Sequence, residues 1–359
     1  MDGIEIHRVW TYIAPNAGFL KRILDYGSFA VSAIPASLLV RGVDIIVATS
    51  PHLFTPIAAY VAAQLTGCKY VFELRDLWPE SIRAVGAIKS TCVLSLLEKL
   101  ELFLYRHAAH IVSVTRSFKK SLIERGIPAD TISIVTNGVD LARFSPMLRD
   151  EPLAEQLGLK GKTVVGYVGT HGMAHGLQTL LDAAARVRTQ PEGNNIRFVF
   201  LGDGAEKANL KAETKERKLD NVLFLDSVPR EQVARYWSLI DISVIHLKRA
   251  PLFETVIPSK LFECMAMGIP VLHGVAGESA EIVQQEGVGL IFPPEDDIAL
   301  ASLILELANK PELRFRLGRN GVSAAKRYDR AVLAANMLEI LEGLCRERES
   351  ELIPGQEKV

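Results

Sequence analysis

A glycine-rich loop after a mostly apolar run is the strongest candidate for chemistry in this sequence. The run at 163–168 leads directly into Gly169, Thr170 and His171, and His175 follows in the same loop. Glycines let the backbone approach a phosphate closely, and the helix that follows favours negative charge at its N-terminus. Each histidine either donates to a phosphate or is an ordinary polar loop residue. A plain turn between strand and helix is the alternative for the whole loop.

A shorter loop repeats this pattern. Gly202 and Gly204 flank Asp203 after the next apolar run, at 197–201, and a helical pattern follows. Such turns are common in α/β proteins, so this loop is a weaker candidate for the same phosphate chemistry.

The most specific segment is a predicted short helix at 258–267. Pro258 suits a first helical position and Gly268 a C-terminal cap. Lys260 and Glu263 are three residues apart and therefore share a face near the helix start. A lysine there suits a diphosphate, and a carboxylate suits the two hydroxyls of a ribose. The alternative is an ordinary surface Lys–Glu pair, but the apolar residues around the pair favour the functional interpretation.

A charged cluster in the first half is a further candidate. Arg75 and Asp76 come directly after the apolar run at 70–74, where open α/β sheets bind ligands. The alternative is an ion pair that caps the next helix. The sequence contains no Asp-x-Asp motif, so no metal-held nucleotide-sugar site of that kind is predicted. It also shows no nucleophile–His–Asp arrangement.

Short apolar runs alternate with helical patterns along the whole chain, which predicts βαβ units and parallel sheets with helices on both faces. The predicted strands are 4–10, 44–49, 70–74, 110–114, 132–135, 163–168, 197–201, 222–225, 242–245, 270–273 and 289–292. The predicted helices include 53–65, 93–106, 178–188, 205–218, 230–239, 298–308 and 331–348.

Turn-forming residues near 137–162 predict a linker between two doubly wound domains. We expect residues 1–146 to form one domain, 147–330 a second, and 331–359 a helix that packs towards the first, with a frayed end. Doubly wound domains usually open with a strand, a glycine-rich turn and a helix. The first domain is expected to lack that unit, because the sequence starts in the predicted strand at 4–10.

Composition excludes several classes of protein. The chain has 359 residues, 48 % of them hydrophobic and 23 % charged, which is typical of a globular protein and not of a disordered chain or coiled coil. Its net charge of −1 argues against a nucleic-acid partner bound by bulk charge. The four cysteines are far apart, and neither a signal peptide nor a transmembrane helix is predicted. Residues 19–41, with basic residues at both ends, form either a core helix or one in a membrane interface.

Several segments together resemble family 4 retaining glycosyltransferases with the GT-B fold, which has two Rossmann-like domains. They are the 137–140 turn with Phe144 and Pro146, the 169–176 loop, the 202–204 turn and the 258–271 segment. Residues 75–81 and 10–19 resemble a narrower subgroup that adds amino or deoxy sugars during assembly of bacterial capsule, O-antigen or colanic-acid-type polysaccharide. The resemblance also implies that an opening strand, loop and helix precede Met1 in relatives.

The resemblance implies roles for individual residues. Glu263 matches the glutamate that holds the ribose, whereas Thr255 stands where a second glutamate is usual, with Glu254 one residue away. Thr170 and His175 replace a basic pair that binds phosphate, so Lys260 is expected to supply that charge. The remaining matches are Arg75 and Asp76, where the family has a His-Asp pair at the sugar, and Ser227 and Val228, whose loop meets the base.

The implied function is transfer of a sugar from a nucleotide-sugar co-substrate, expected to be UDP-linked, to a polyprenyl-linked or oligosaccharide acceptor. Arg75, Asp76 and Glu254 are then the candidate catalytic residues, with no metal and no other cofactor. The protein is expected in the cytoplasm, either free or peripheral on the inner membrane face. The alternatives are a truncated pseudoenzyme or partner subunit that binds nucleotide, and a sugar-nucleotide 2-epimerase.

Overall fold

The computed structural model describes residues 3–13, 19–77 and 90–352 and divides the chain into two compact units. The first unit comprises Met1–Thr136 and Ala334–Val359, and the second comprises Asn137–Leu333. The division falls earlier than the predicted boundary at residue 146 because Val139 bridges to Asp329 and its N–H donates to the carbonyl of Tyr328 at 2.9 Å. These bonds join the 137–140 turn to the second unit.

The described part of the first unit contains a four-stranded parallel sheet in the order β1-β2-β3-β4. The strands are β1 (Ile45–Thr49), β2 (Lys69–Leu74), β3 (His110–Ser113) and β4 (Ile132–Ile134). The helices described with them are α1 (Phe19–Leu38), α2 (Phe54–Thr66), α3 (Thr91–Arg106) and α4 (Arg116–Glu124).

The predicted strand at 4–10 is wrong. Residues 4–13 pair with no strand among the described residues, and Ile4 and Trp10 are exposed. Polar side chains of α1 bond this segment instead: Ser28 Oγ accepts the N–H of Tyr12 at 2.8 Å, and Ser32 Oγ donates to the carbonyl of Trp10. A segment with alternating apolar residues forms a strand only when it pairs with another strand. Here the main chain of the segment hydrogen-bonds to side chains of α1 instead.

The helix predicted within 19–41 is present as α1. It packs against α2, with Ala30 buried, while Leu24, Val31 and Leu38 remain exposed. Among the described residues, no helix combines the length and apolarity needed to cross a membrane.

The second unit contains a six-stranded parallel sheet in the order β10-β9-β8-β5-β6-β7. The strands are β5 (Thr163–Val168), β6 (Ile196–Leu201), β7 (Val222–Leu225), β8 (Ile242–His246), β9 (Val271–Gly274) and β10 (Gly289–Ile291). The helices are α5 (Glu151–Gln156), α6 (Gln178–Arg188), α7 (Lys207–Glu216), α8 (Val233–Trp237), α9 (Lys260–Met267), α10 (Glu278–Glu286), α11 (Asp297–Asn309) and α12 (Pro311–Ala325). The last helix, α13 (Arg330–Leu352), begins in this unit and belongs to the first unit from Ala334 onwards.

Both faces of this second sheet are buried. Along β5, Val164 and Val168 enter one apolar cluster, and Val165 and Tyr167 enter the cluster on the opposite face. This explains why the strands are nearly continuous apolar runs in the sequence. Both units are parallel-sheet α/β units, as predicted, and among the described residues strand order reverses only in the second sheet.

Strand order reverses beside β5, whose loop is part of the candidate site. The chain runs from β5 outwards through β6 and β7, then returns to place β8 on the other side of β5. Loops that leave the carboxyl ends of β5 and β8 therefore diverge and leave a crevice. Open α/β sheets bind ligands at such a point.

Candidate functional site

The loops after β5, β6 and β7 together line a cavity of about 250 Å³. The sequence-predicted residues that line it are Gly169, Thr170, Gly202, Ser227 and Val228. They come from three separate loops, and the parallel sheet brings them to one edge. Five of the predicted donor-site residues therefore share one concave surface, the kind of surface at which small ligands bind.

The glycines of the first two loops are required because the loops pack backbone against backbone. A Cβ on Gly202, which has φ +143°, would lie 2.0 Å from the carbonyl oxygen of Gly169. A Cβ on Gly204, with φ +156°, would lie 2.5 Å from the carbonyl oxygen of His171. The N–H of His171 also donates to the carbonyl of Asp203 at 2.8 Å, so the two loops form one rigid wall.

Lys260, at the start of α9, places its ammonium group against the first loop. Its Nζ lies 3.9 Å from the centre of the Tyr167 ring and 2.9 Å from where a Cβ on Gly169 would stand. Nζ is buried and has no hydrogen-bond partner among the described residues. Burial lowers the pKa of Lys260 to about 8. An unpaired buried ammonium beside a glycine loop is suited to an anion.

Glu263, one helical turn later, is held by a different aromatic residue. Trp237 Nε1 on α8 donates to Glu263 Oε2 at 3.1 Å. Burial raises the pKa of Glu263, while this hydrogen bond and Lys260 oppose the rise. Lys260 Nζ makes no hydrogen bond to Glu263, so the two do not form the ordinary surface ion pair that was the alternative.

The structure places His171 in the apolar core beneath the loop. The residue is fully buried, and its ring lies 5.9 Å from the Tyr167 ring, 6.2 Å from Phe200 and 6.0 Å from Phe224. Burial, together with the charge of Lys207, lowers its pKa to about 4. His171 is therefore uncharged at neutral pH and presents no surface to the cavity.

His175 is half-buried at the end of the same loop. Burial and the neighbouring Lys260 lower its pKa to about 4, so it carries no positive charge at neutral pH. Its carbonyl accepts from His246 Nδ1 at 2.7 Å, and the N–H of Glu295 donates to His246 Nε2 at 2.9 Å. His246 is thus neutral, with its proton on Nδ1, and supports the loop from below.

His246 and Lys207 are two contributors that sequence reasoning missed. Lys207 Nζ donates to the carbonyls of Gly202 and Leu225 at 2.7 and 3.1 Å and to Asp226 Oδ1 at 2.6 Å. It therefore ties the ends of β6 and β7 together below the cavity. Its position at the start of the helix after Gly204 was the available signal, whereas nothing local marked His246.

Glu254 is not among the residues that line this cavity. It is exposed, within the 3₁₀ turn Pro251–Thr255, and lines a second cavity of about 170 Å³ with Lys248, Arg249 and Ala276. Its carbonyl packs against Gly277 before α10, where a Cβ would come within 2.0 Å. Lys260 and Glu263 also lie outside the lining of the 250 Å³ cavity, and Lys260 is next to it through its contact with Gly169.

Arg75 and Asp76 belong to the first unit, just after β2. Both of their N–H groups donate to Ser50 Oγ, at 2.8 and 3.2 Å, which ties this turn to the end of β1. The Arg75 guanidinium lies 4.0 Å from the Glu73 carboxylate. The rest of the predicted cluster, from Trp78 to Ser81, falls outside the described residues.

A metal centre has no candidate ligands in the described ranges. No group of three or more His, Cys, Asp or Glu side chains there is arranged to hold a metal ion.

Comparison with known proteins finds a family model that matches each half of the chain. Residues 150–323 match the model of the glycosyl transferases group 1, and residues 1–138 match that of the glycosyl transferase 4-like domain. The chain is 27 % identical over 265 residues to the "Putative colanic acid biosynthesis glycosyl transferase WcaI" of Escherichia coli K12, covering 72 % of this chain and 64 % of that protein. It is 26 % identical to the "Probable glycosyltransferase WbjE" of Pseudomonas aeruginosa, covering 79 % of this chain and 70 % of that protein.

Among solved structures, the chain is similar to Anabaena Alr3699/HepE in complex with UDP. The TM-score is 0.73 at 17 % identity, over 90 % of this chain and 84 % of that one. At this identity the likeness establishes the fold alone. The match to WcaI extends over less than two thirds of that relative's length.

Proposed function

We infer that this chain, which combines a glycosyl transferase 4-like domain with a glycosyl transferases group 1 domain in the GT-B fold, is a glycosyltransferase. We propose that it moves a sugar, with retention of configuration, from a nucleotide-sugar donor to a growing bacterial surface polysaccharide or polyprenyl-linked acceptor. The names of the relatives, which include colanic acid and amylovoran biosynthesis, support this acceptor class.

One observation carries the assignment of the donor to the second unit. The buried ammonium of Lys260 has no hydrogen-bond partner in the part of the chain that the structure describes, and it lies against Gly169, whose loop lines the 250 Å³ cavity. Burying an unpaired charge is costly, so such a group persists where a ligand anion pairs with it. In the proposed complex, Lys260 and the amides of the 169–176 loop bind the diphosphate.

The other donor contacts follow from the same geometry. Trp237 occupies one oxygen of the Glu263 carboxylate, and the other oxygen can accept from the ribose hydroxyls. The wall formed by Ser227 and Val228 receives the base. We propose UDP as the nucleotide, supported by the UDP complex of the similar structure. His171 has no role at the ligand in this proposal because its ring is buried.

Catalysis in this proposal depends on positioning and on stabilisation of the leaving diphosphate. A charged lysine and backbone amides oppose the negative charge that develops as the bond to the sugar breaks. Glu254 is assigned to the sugar, and Arg75 and Asp76 to the sugar or the acceptor. No metal or further cofactor enters the scheme.

We also propose that the protein binds peripherally to the inner face of the cell membrane, where a polyprenyl-linked acceptor would lie. Support comes from α1, which exposes Leu24, Val31 and Leu38 at seven-residue spacing, with Lys21 exposed on the same helix. Apolar and basic side chains on one helix face suit an anionic membrane interface. Flotation with anionic liposomes tests this proposal: we expect Val31→Asp to abolish co-flotation, and its persistence would refute the assignment.

Calorimetric titration of UDP, followed by transfer assays with a panel of UDP-sugars, tests the main proposal. We expect Lys260→Met and Glu263→Ala each to weaken UDP binding about tenfold or more, since a hydrogen bond to a charged group contributes about 1.5–3 kcal/mol. Lys211→Met, which removes an exposed lysine of α7, is the matched control. Absence of binding by any nucleoside diphosphate would contradict the proposal. Binding without transfer would favour a nucleotide-binding pseudoenzyme.

A further inference from the structure

We propose that Tyr167 and Trp237 are positioning residues that keep Lys260 and Glu263 apart, so that both charges remain available to the donor. This inference rests on the proposed function but concerns residues outside the predicted site. Lys and Glu at a three-residue spacing on one helix ordinarily attract each other. Here each is held instead by an aromatic side chain from a different element.

The Tyr167 ring holds the Lys260 ammonium without neutralising its charge. The face of an aromatic ring attracts a cation within about 6 Å, and here Nζ lies 3.9 Å from the ring centre. A carboxylate partner would neutralise the charge and accept its hydrogen bonds, whereas a ring face preserves the charge and leaves the N–H groups that point away from the ring for a phosphate. Tyr167 is itself fixed, because its hydroxyl donates to the carbonyl of Thr170 at 2.8 Å.

Trp237 performs the matching task for Glu263. Its indole is fully buried, and its single N–H donates to Glu263 Oε2 at 3.1 Å. A neutral donor fixes the orientation of the carboxylate while leaving its negative charge in place. Burial raises the pKa of Glu263, and the Trp237 bond opposes that rise and so favours the ionised form.

Substitutions at Tyr167 test the first half of the proposal. Tyr167→Phe keeps the ring face, Tyr167→Leu removes it, and Phe198→Leu is a control for loss of a buried ring in the same apolar cluster. We expect Tyr167→Leu to weaken UDP binding about tenfold, because a desolvated cation–π contact is strong. Binding of uridine, which has no phosphate, should be unchanged. In Tyr167→Leu, the fall in UDP affinity at alkaline pH should also begin at a lower pH than in the wild-type protein, because the ring that favours the charged lysine is gone.

A double substitution separates positioning from general damage to the fold. In a Lys260→Met background, Tyr167→Leu should no longer change the ratio of UDP affinity to uridine affinity. Equal losses in Tyr167→Phe and Tyr167→Leu, or a Tyr167→Leu effect that persists without Lys260, would overturn the role of the ring. Circular dichroism and the melting temperature of each variant show whether it is folded.

Trp237→Phe tests the second half, because it keeps an aromatic ring and loses the N–H. Wild-type protein should prefer uridine to 2′,3′-dideoxyuridine, and Trp237→Phe should lose most of that preference. An unchanged preference would overturn the role of Trp237. If the wild-type protein binds neither UDP nor uridine, the proposed function itself is overturned. If the wild-type protein binds UDP and the Tyr167 and Trp237 variants bind it equally well, only the role of the two aromatic residues is overturned.

Discussion

The charge of Lys260 makes donor binding sensitive to pH. Burial lowers its pKa to about 8, and a bound phosphate favours the ammonium form. Below about pH 8 the group is charged before UDP arrives; above it, binding must take up a proton, so UDP affinity should fall by up to about tenfold per pH unit. Two neighbours, His175 with a pKa of about 4 and Cys264 with one of about 12, do not titrate in this window.

Calorimetry of UDP binding between about pH 6.5 and 9.5 measures this dependence. Lys260→Met should bind UDP weakly and with no alkaline fall. A fall of the same steepness in that variant would assign the titration to another group.

His171 allows a prediction of the opposite kind, in which removing a polar residue does no harm. Both ring nitrogens are buried without a hydrogen-bond partner among the described residues. Replacing them with carbon in His171→Phe should raise the free energy of unfolding by about 1 kcal/mol. UDP affinity should stay within about twofold of wild type. A loss of affinity as large as that of Lys260→Met would instead place the ring at the ligand.

At the level of single residues, the sequence predicts where a residue lies on its own helix better than it predicts which distant residues it contacts. Spacing placed Lys260 and Glu263 on one helix face, as α9 confirms, because helical geometry is local. Their partners, Tyr167 and Trp237, come from β5 and α8. No local pattern encodes contacts between residues that are distant along the chain, so the alternatives of surface pair and ligand site stayed open.

At the level of elements, the contact between the two glycine loops should be intolerant of any side chain. Gly202→Ala would drive a Cβ to 2.0 Å from the Gly169 carbonyl oxygen at φ +143°. We expect a loss of at least about 2 kcal/mol in the free energy of unfolding, together with loss of UDP binding, because the cavity wall must open.

A glycine in the first loop provides the matched control for that substitution. Gly172 has φ −99°, and the nearest atoms to a Cβ there are 3.5 Å away. In a thermal-shift experiment that compares the two variants, Gly172→Ala should therefore melt close to the wild-type temperature and Gly202→Ala well below it. Equal destabilisation by the two substitutions would show that the loops do not depend on their close approach.

Strands were predictable from short apolar runs bounded by turns. Each predicted strand from residue 44 onwards is present with its ends within one residue, whether it is buried on both faces like β5 and β8 or partly exposed like β1 and β10. The 4–10 segment differs because its apolar–polar alternation is compatible with a strand, but no neighbouring strand pairs with it among the described residues. Helix α8 is likewise shorter than the predicted 230–239 helix, because residues 230–232 form a 3₁₀ turn.

At the level of the whole molecule, helix α13 connects the two units along the chain. It begins at Arg330 in the second unit, and its residues from Ala334 onwards belong to the first. There Leu344 packs with Val71 and Val112, and its carbonyl accepts from Lys69 Nζ at 3.0 Å. The first unit is thus completed by a segment distant in sequence, within the 331–359 region that was expected to pack towards the first domain.

Because Leu344 packs in the first unit, we expect its substitution to lower the stability of that unit without changing donor binding by the second unit. Leu344→Ala removes a side chain that is 8 % exposed and should lower the stability of the first unit by about 2–3 kcal/mol. Hydrogen exchange should accelerate in β2 and β3, while UDP affinity, which depends on the second unit, stays unchanged. Leu338→Ala, at a position 55 % exposed on the same helix, should alter neither property. Loss of UDP binding in Leu344→Ala would show that the donor site requires an intact first unit.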